Sequence, residues 1–364
     1  MKNSIIITFY QNINMLKHCL KSIMISLNKR TDVEVIIVND NPTINLKTQF
    51  LDGNYNSPMQ IIQLEKNLGH SGACSVGVNK SRGTNLIFID ADIIVSDNWL
   101  VELEKTFFGH SNCGAATSAI LDYSNNQIVY FGMELFKSES IKPLQGSFKH
   151  HQYLMDDHSS QIVTSGCMII RKDTYLEVGG FDETFYNSCN DLDLSMKLNA
   201  LGYVNYISAN SIVYHRGNVS GAIRFSSHIY SRSFFFQKWS KEIEEHSRKS
   251  LLILQKLYEQ SPYSMEDCLI IDFSSSIFSD SYLNCLYKAK GFNSIDKYRI
   301  RVNSEKIIIT DFILWDICQL NIPILYFVDD YRFLISNYLW FKSRKNQNDL
   351  IVDRNGNIVK PKIN

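Results

Sequence analysis

Apolar residues along this chain fall into two alternating rhythms. Ser4–Phe9 reads Ser-Ile-Ile-Ile-Thr-Phe, a β-rich run, and Leu16, Leu20, Ile23 and Leu27 follow it at helical spacing. Val33–Val38 and Gln60–Leu64 are two further strand-like runs. A helix of small residues is predicted from about Ser71 to Ser81, then the most hydrophobic run, Asn85-Leu86-Ile87-Phe88-Ile89, then a helix with Leu100, Leu103 and Phe107 on one face. Continuously apolar strands alternating with amphipathic helices predict an α/β fold, a mainly parallel sheet with helices on both faces. The pattern loosens between Ala115 and Ile162. It returns as a strand over Ile162–Arg171, a Gly179-Gly180 break, and a helix from about Asp191 with Leu194, Leu198 and Leu201 on its apolar face and Gly202 as its stop.

Beyond Gly221 the organisation changes. Four segments are predicted: a domain over residues 1–221, a helical connector over 222–262, a small α/β module over 263–341, and a polar tail over 342–364 expected to fray. The small module takes its strands from Cys268–Phe273, Lys306–Thr310 and Ile322–Val328. Phe234-Phe235-Phe236 and Trp239, with Arg232, Lys238 and Lys241 nearby, read as a core element or a seam for a second copy of the chain, with contact to a membrane surface as the alternative.

Charge adds one exclusion. Lys+Arg and Asp+Glu both number 37, so the formal net charge is zero and nothing argues for nucleic acid as a partner. There is no apolar run of membrane-spanning length, and Met1-Lys2-Asn3-Ser4 leads straight into a strand, so a cytoplasmic protein is expected, with the inner face of the cell membrane as a possible station. The 8 cysteines contain no C-x-x-C and are read as reduced thiols.

Candidate chemistry begins at Asp90-Ala91-Asp92, which ends the most hydrophobic strand. Open α/β sheets bind ligands at the carboxyl ends of their strands. Two hard oxygen donors there suit Mg²⁺ or Mn²⁺, and such a cation suits a diphosphate. The triplet alone arises by chance in many proteins. His150, His151 and His158, with Asp156 and Asp157, match no compact zinc spacing and read as a polar loop.

Seven motifs in order carry a resemblance: the Ser4–Thr8 strand and its loop, Val38-Asn39-Asp40-Asn41, Asn67-Leu68-Gly69, Asp90-Ala91-Asp92, Gly179-Gly180-Phe181-Asp182-Glu183, Asn190-Asp191-Leu192-Asp193, and His215 with Gly217 and Ser220. Over about residues 3–220 the chain resembles a family-2 inverting glycosyltransferase with the GT-A fold. The resemblance implies a nucleoside diphosphate sugar donor, UDP-linked by preference and dTDP-linked as the alternative. It implies an acceptor hydroxyl on a glycan, a lipid-linked glycan or a protein, and a place in bacterial surface polysaccharide or glycoconjugate synthesis. Thr8, Tyr10, Asn39, Asp40, Asn67, Gly69, Asp90 and Ala91 are implied as nucleotide contacts. Asp92, Asp90 and His215 are implied as ligands of a Mn or Mg cation. Asp182 and Gly180 are implied on the acceptor side, and Asp191 as the base that takes the acceptor proton.

Two departures stand out. Asn39 occupies a position where the family usually has Asp, and Asn190 replaces the acid that precedes the base. Each motif also has a plain structural reading: an Asx turn at Asn39–Pro42, a tight strand-to-helix connection at Gly69 and Gly72, and acids complementing a helix start at Asp191 and Asp193. His70 reads as loop-lining. Arg216 and Arg224 are candidates for holding a diphosphate. A non-catalytic module that binds a nucleotide or glycan is the competing function. A nucleotidyltransferase is disfavoured, because Thr8-Phe9-Tyr10-Gln11-Asn12 is no phosphate loop. Residues 307–327 faintly resemble the nucleotide-binding half of glycerophosphotransferases, without the serines those carry, and read as a packing or assembly module.

Overall fold

The computed structural model describes residues 1–27, 30–50, 58–133, 135, 146–147, 157–216, 230–243, 269–272, 299–301, 324–328, 340–341, 344, 348–353 and 358–359. The chain forms two compact units, residues 1–133 with 156–239, and residues 134–155 with 240–364.

The first unit is built on one sheet. Its strands are β1 (Asn3–Phe9), β2 (Val33–Asn39), β3 (Met59–Gln63), β4 (Asn85–Asp90), β5 (Ile93–Val95), β6 (Cys113–Asp122), β7 (Gln127–Tyr130), β8 (His158–Ser160), β9 (Cys167–Arg171) and β10 (Val204–His215). The main path runs β3-β2-β1-β4-β9-β6-β10-β5. β1, β2, β3 and β4 are mutually parallel, and β6 pairs with β10 in parallel. β9 enters antiparallel between β4 and β6, and β5 closes antiparallel on β10. The expected mainly parallel α/β sheet is therefore present, with β9 as an antiparallel insert that local periodicity does not reveal.

The helices follow from their apolar faces. α1 (Ile13–Leu27) buries Leu16, Leu20, Ile23 and Leu27, and Asn12 Oδ1 caps it by accepting from Met15 N at 3.2 Å. α2 (Gly69–Lys80) packs on β1 and β2 through small residues. α3 (Trp99–Gly109) buries Trp99, Leu100, Leu103 and Phe107. α4 (Lys172–Glu177) is short. α5 (Asn190–Ala200) buries Leu194 and Leu198, but Leu201, expected on the same face, is exposed because the helix has ended and Gly202 turns the chain at φ +84°.

Register aligns the site. Thr8 lies opposite both Val38 and Asp90, and Phe9 opposite Asn39, so β1, β2 and β4 end at one edge. At the opposite edge the acids are locked: Glu34 accepts from Ser4 Oγ at 2.7 Å and pairs with Arg82 at 2.8 Å, while Glu104 pairs with Arg30 and Lys2, each at 2.8 Å. Those acids are held in structural pairs, and the candidate site acids Asp40 and Asp90 lie at the carboxyl edge.

The first unit extends past the boundary expected at Gly221. Residues 230–239 are helical, Phe235 and Trp239 are buried, and Phe235 packs on Phe185 with ring centroids 6.3 Å apart. The core reading of this segment accounts for those contacts. Lys306–Thr310, and the helical connector beyond residue 243, lie outside the described residues.

The second unit holds a separate sheet of β11 (Leu269–Asp272), β12 (Arg299–Arg301), β13 (Ile324–Val328), β14 (Leu350–Asp353) and β15 (Ile358–Val359), in the order β12-β11-β13-β14-β15. All pairs are parallel except the last. β14 and β15 lie where a frayed polar tail was expected. They are ordered because Ile351 and Val352 are buried and Asp349 is held by Arg344 at 2.7 Å and by the Ile324 amide at 2.9 Å.

Candidate active site

Three loops converge where β1, β2 and β4 end. Asp40 is almost fully buried; its Oδ1 accepts from Leu68 N at 2.6 Å. Burial pushes its carboxyl above the usual range, partly offset by the Leu68 and Gly69 amides. Asn67 Oδ1 accepts from Gly69 N at 2.8 Å and from Tyr186 Oη at 2.6 Å. Gly69 sits at φ +73°, and a Cβ there would stand 2.5 Å from the Tyr186 ring, so only glycine fits. Thr8 is half-buried at the end of β1, and Tyr10 exposes 46% of its surface while its carbonyl accepts from Asn41 Nδ2 at 2.7 Å.

Asn39 departs from its expected role. It is fully buried and donates both amide hydrogens, to Ile44 O and to Gln63 Oε1, each at 2.6 Å. Its oxygen accepts from Asn41 N at 3.1 Å. The side chain is spent on shaping the loop after β2, so it offers no free donor to a base. The Asx-turn reading is the one the geometry favours.

β4 delivers the second group. Asp90 is its last residue, and Ala91 and Asp92 make the turn into β5. Because β5 pairs antiparallel with the end of β10, Ile93 lies opposite His215, and Asp92 Oδ2 comes to 3.3 Å from His215 Nε2. Arg216 N donates to Asp92 O at 3.1 Å, and its guanidinium meets His18 Nδ1 at 2.7 Å and the Tyr123 ring at 5.3 Å. Among the described residues no group of three or more His, Cys, Asp or Glu surrounds a single point suited to a metal ion. A carboxylate with one imidazole nevertheless fits a cation that completes its shell with diphosphate oxygens and water, as Mg²⁺ characteristically does and as Mn²⁺ can.

The third group is at the start of α5. Asp191 Oδ2 accepts from Thr164 Oγ1 at 3.0 Å and Ser165 N at 3.3 Å, and Oδ1 from Leu192 N at 3.0 Å. Burial raises its pKa above the ordinary 3.8, against the pull of Thr164, Ser165 and His70. The residue before the helix, Cys189, has φ +64°, an uncommon strain for a side chain other than glycine and one that recurs at functional sites. Two bridges join this carboxylate to Asp90. Ser165 leads into Gly166, whose carbonyl accepts from Asp90 N at 3.1 Å, and a Cβ at Gly166 would lie 3.6 Å from Asp90 Oδ2. On the other side, Asn190 Nδ2 meets His70 Nδ1 at 2.8 Å, and His70 Nε2 lies 3.6 Å from Asp90 Oδ1.

Asp182 and Gly180 have structural duties in this state. Asp182 Oδ2 pairs with Lys238 at 3.1 Å and Oδ1 accepts from Thr184 N at 2.9 Å. Thr184 and Lys238 outweigh its burial and hold its carboxyl below the usual range. Gly180, at φ +60°, lets Tyr175 pack where a Cβ would stand 2.6 Å from the ring. Asp193, fully buried on α5, accepts from Trp239 Nε1 at 2.9 Å and pairs with Lys238 at 2.8 Å and Lys197 at 2.9 Å. Of the polar loop, Asp157 is tied to Ala209 N at 2.7 Å, and His150, His151 and Asp156 lie outside the described residues.

Sequence reasoning missed Thr164, Ser165, Tyr186 and Lys238 as site-shaping residues and understated His70. Thr164 and Ser165 precede β9, the antiparallel insert, so no local pattern links them to Asp191. The isolated Thr-Ser-Gly before an apolar strand was their only signal.

Parallel strands ending in carboxylates, with a helix beside the sheet edge, form the architecture of the GT-A fold. Residues 4–179 match glycosyl transferase family 2. The O-antigen biosynthesis protein RfbC of Myxococcus xanthus is 24% identical over 229 residues, which is 60% of this chain and 18% of that protein. This chain thus spans less than a fifth of that relative's length. Among solved structures, GalNAc-T7 with UDP, GalNAc and Mn²⁺ has a TM-score of 0.52 at 17% identity, covering 87% of this chain and 57% of that one. The mannosyltransferase PcManGT from Pyrobaculum calidifontis, in complex with GDP-Man and Mn²⁺, has a TM-score of 0.45 at 12% identity over 81% of this chain and 76% of that one. Over residues 4–179 the chain is thus similar to glycosyltransferase family 2.

Proposed function

We propose that the first unit transfers a sugar from a nucleoside diphosphate, UDP by preference, to an acceptor hydroxyl with inversion at the anomeric carbon, assisted by Mn²⁺ or Mg²⁺. The double bridge between Asp90 and Asp191 carries this reading. It links a donor-side carboxylate to a carboxylate with a raised pKa, which is what a single in-line displacement needs. In this reading Asp191 takes the proton from the acceptor oxygen as that oxygen attacks, and Thr164 and Ser165 keep the carboxylate aimed. Its raised pKa makes it a stronger base than an exposed Asp. Asp92, with His215 beside it, would hold the cation, which when bound neutralises charge on the departing diphosphate. Asp90 contacts the ribose or a water of the cation's shell. Asp40, Asn67 and Gly69 shape the base and ribose pocket, with Thr8 and Tyr10 on its rim, and Asn39 acts only through the loop it fixes.

RfbC's description supports a surface polysaccharide or related glycoconjugate as the acceptor. No helix among the described residues is long and apolar enough to cross a membrane. We assign the protein to the cytoplasm or the inner membrane face, its second unit serving as an accessory or assembly module. The test is a panel of nucleotide sugars with Mn²⁺, scored first by thermal stabilisation and then by nucleotide release. A UDP-sugar that stabilises the protein and is turned over to a product of inverted configuration supports the reading; retention of configuration contradicts it.

A further inference from the structure

The geometry points to His70 as a positioning residue. Its Nε2 faces Asp90 while Asn190 occupies Nδ1, and so the ring couples the donor-side carboxylate to the helix that bears Asp191. The inference deepens the proposed function and rests on it for the meaning of Asp90.

Every side of the ring is engaged. Nδ1 lies 2.8 Å from Asn190 Nδ2, and Asn190 is itself buried in the first turn of α5. Cys74 Sγ lies 3.9 and 3.8 Å from the two ring nitrogens, one helical turn along α2. Phe181 meets the ring edge-on with centroids 5.8 Å apart. The backbone is fixed as well, since His70 N donates to Asn187 Oδ1 at 2.9 Å. A ring held in this way cannot flip without breaking the Asn190 contact. Asn190 contacts Nδ1, and a hydrogen on Nε2, present in the imidazolium and in one neutral tautomer, faces Asp90. Nε2 lies 3.6 Å from Asp90 Oδ1, within ion-pair range. Removal of an outer partner that orients a ligand-binding side chain typically weakens binding by about tenfold or more.

Two substitutions separate the ring's ends. His70→Gln keeps a donor where Nε2 stands, and His70→Asn keeps a polar atom only near Nδ1. Calorimetry on the full chain with UDP and Mn²⁺ should show His70→Gln binding within about threefold of the parent and His70→Asn weakened by about tenfold or more. Equal binding by both variants overturns the inference. An independent readout is the long-range ¹H–¹⁵N spectrum of the labelled full chain, with His70 assigned through His70→Gln. The expected spectrum shows hydrogen on Nε2, and Asn190→Leu should change the ring pattern. Hydrogen on Nδ1 with a bare Nε2 overturns the inference. If the parent does not bind UDP with Mn²⁺, the functional reading fails for that nucleotide, and the ring spectrum alone decides the role of His70.

Discussion

Lys238→Met should destabilise the first unit by about 2 kcal/mol. Lys238 Nζ stands 2.8 Å from Asp193 Oδ1 and 3.1 Å from Asp182 Oδ2. Asp193 is fully buried, and stripping a partner from a buried charge costs about 3–5 kcal/mol. Here the loss is partial. Asp193 keeps Lys197 at 2.9 Å and Trp239 Nε1 at 2.9 Å, and the lysine side chain is 30% exposed, so solvent already screens some of the attraction. Asp182, itself partly exposed, rehydrates at little cost. Those terms bring the figure to about half the buried-pair value. Urea unfolding of the full chain, followed by tryptophan fluorescence, measures it. Asp193→Asn should cost less in the Lys238→Met background than in the parent, by about 1 kcal/mol, because the two groups act as one unit. Unfolding of Lys238→Met within about 0.5 kcal/mol of the parent would refute the argument that residues 230–239 are an integral part of this unit.

Three further outcomes are expected. Gly69→Ala should cost about 2–4 kcal/mol, from left-handed strain plus displacement of Tyr186 and loss of its 2.6 Å bond to Asn67, read as a lower urea midpoint and weaker donor binding; a neutral variant would show that Tyr186 moves freely. Asp92→Asn should weaken binding of UDP in the presence of Mn²⁺ almost as much as Asp92→Ala, since the amide keeps shape but loses charge, and full activity in EDTA would remove the metal from the account. Turnover should fall with acid along a limb above the ordinary carboxylate value of 3.8, because only ionised Asp191 accepts a proton and burial raises its pKa; a limb at or below that value would contradict the assignment.

The first half of the fold was legible because its information is local. Continuous β-branched runs and the Leu16, Leu20, Ile23, Leu27 stripe locate β1, β2, β4 and α1 to within a residue or so. What stayed hidden depends on distant partners. The insertion of β9 between β4 and β6 brings Thr164 and Ser165 to Asp191, a relation across 26 and 27 positions that no periodicity encodes. Asn39 shows the converse. Its residue type suggested a nucleotide contact, but the hydrogen-bond inventory of one buried amide, complete with Ile44, Gln63 and Asn41, assigns it to the loop. In the second unit, charge misled: Asp349 and Arg344 look like tail residues, yet they neutralise each other within a buried cluster.

The central claim is that Asp191 acts on the acceptor and not on the donor. Asp191→Asn keeps the size of the side chain and an oxygen for Thr164 and Ser165, but cannot take a proton. The decisive measurement compares this variant with the parent in sugar transfer and in binding of UDP with Mn²⁺. Transfer should fall by about a hundredfold or more, the scale of losing a general base, while nucleotide affinity changes by less than about threefold. Transfer at the parent rate by Asp191→Asn, with loss in Asp193→Asn or Asp182→Asn instead, would contradict it.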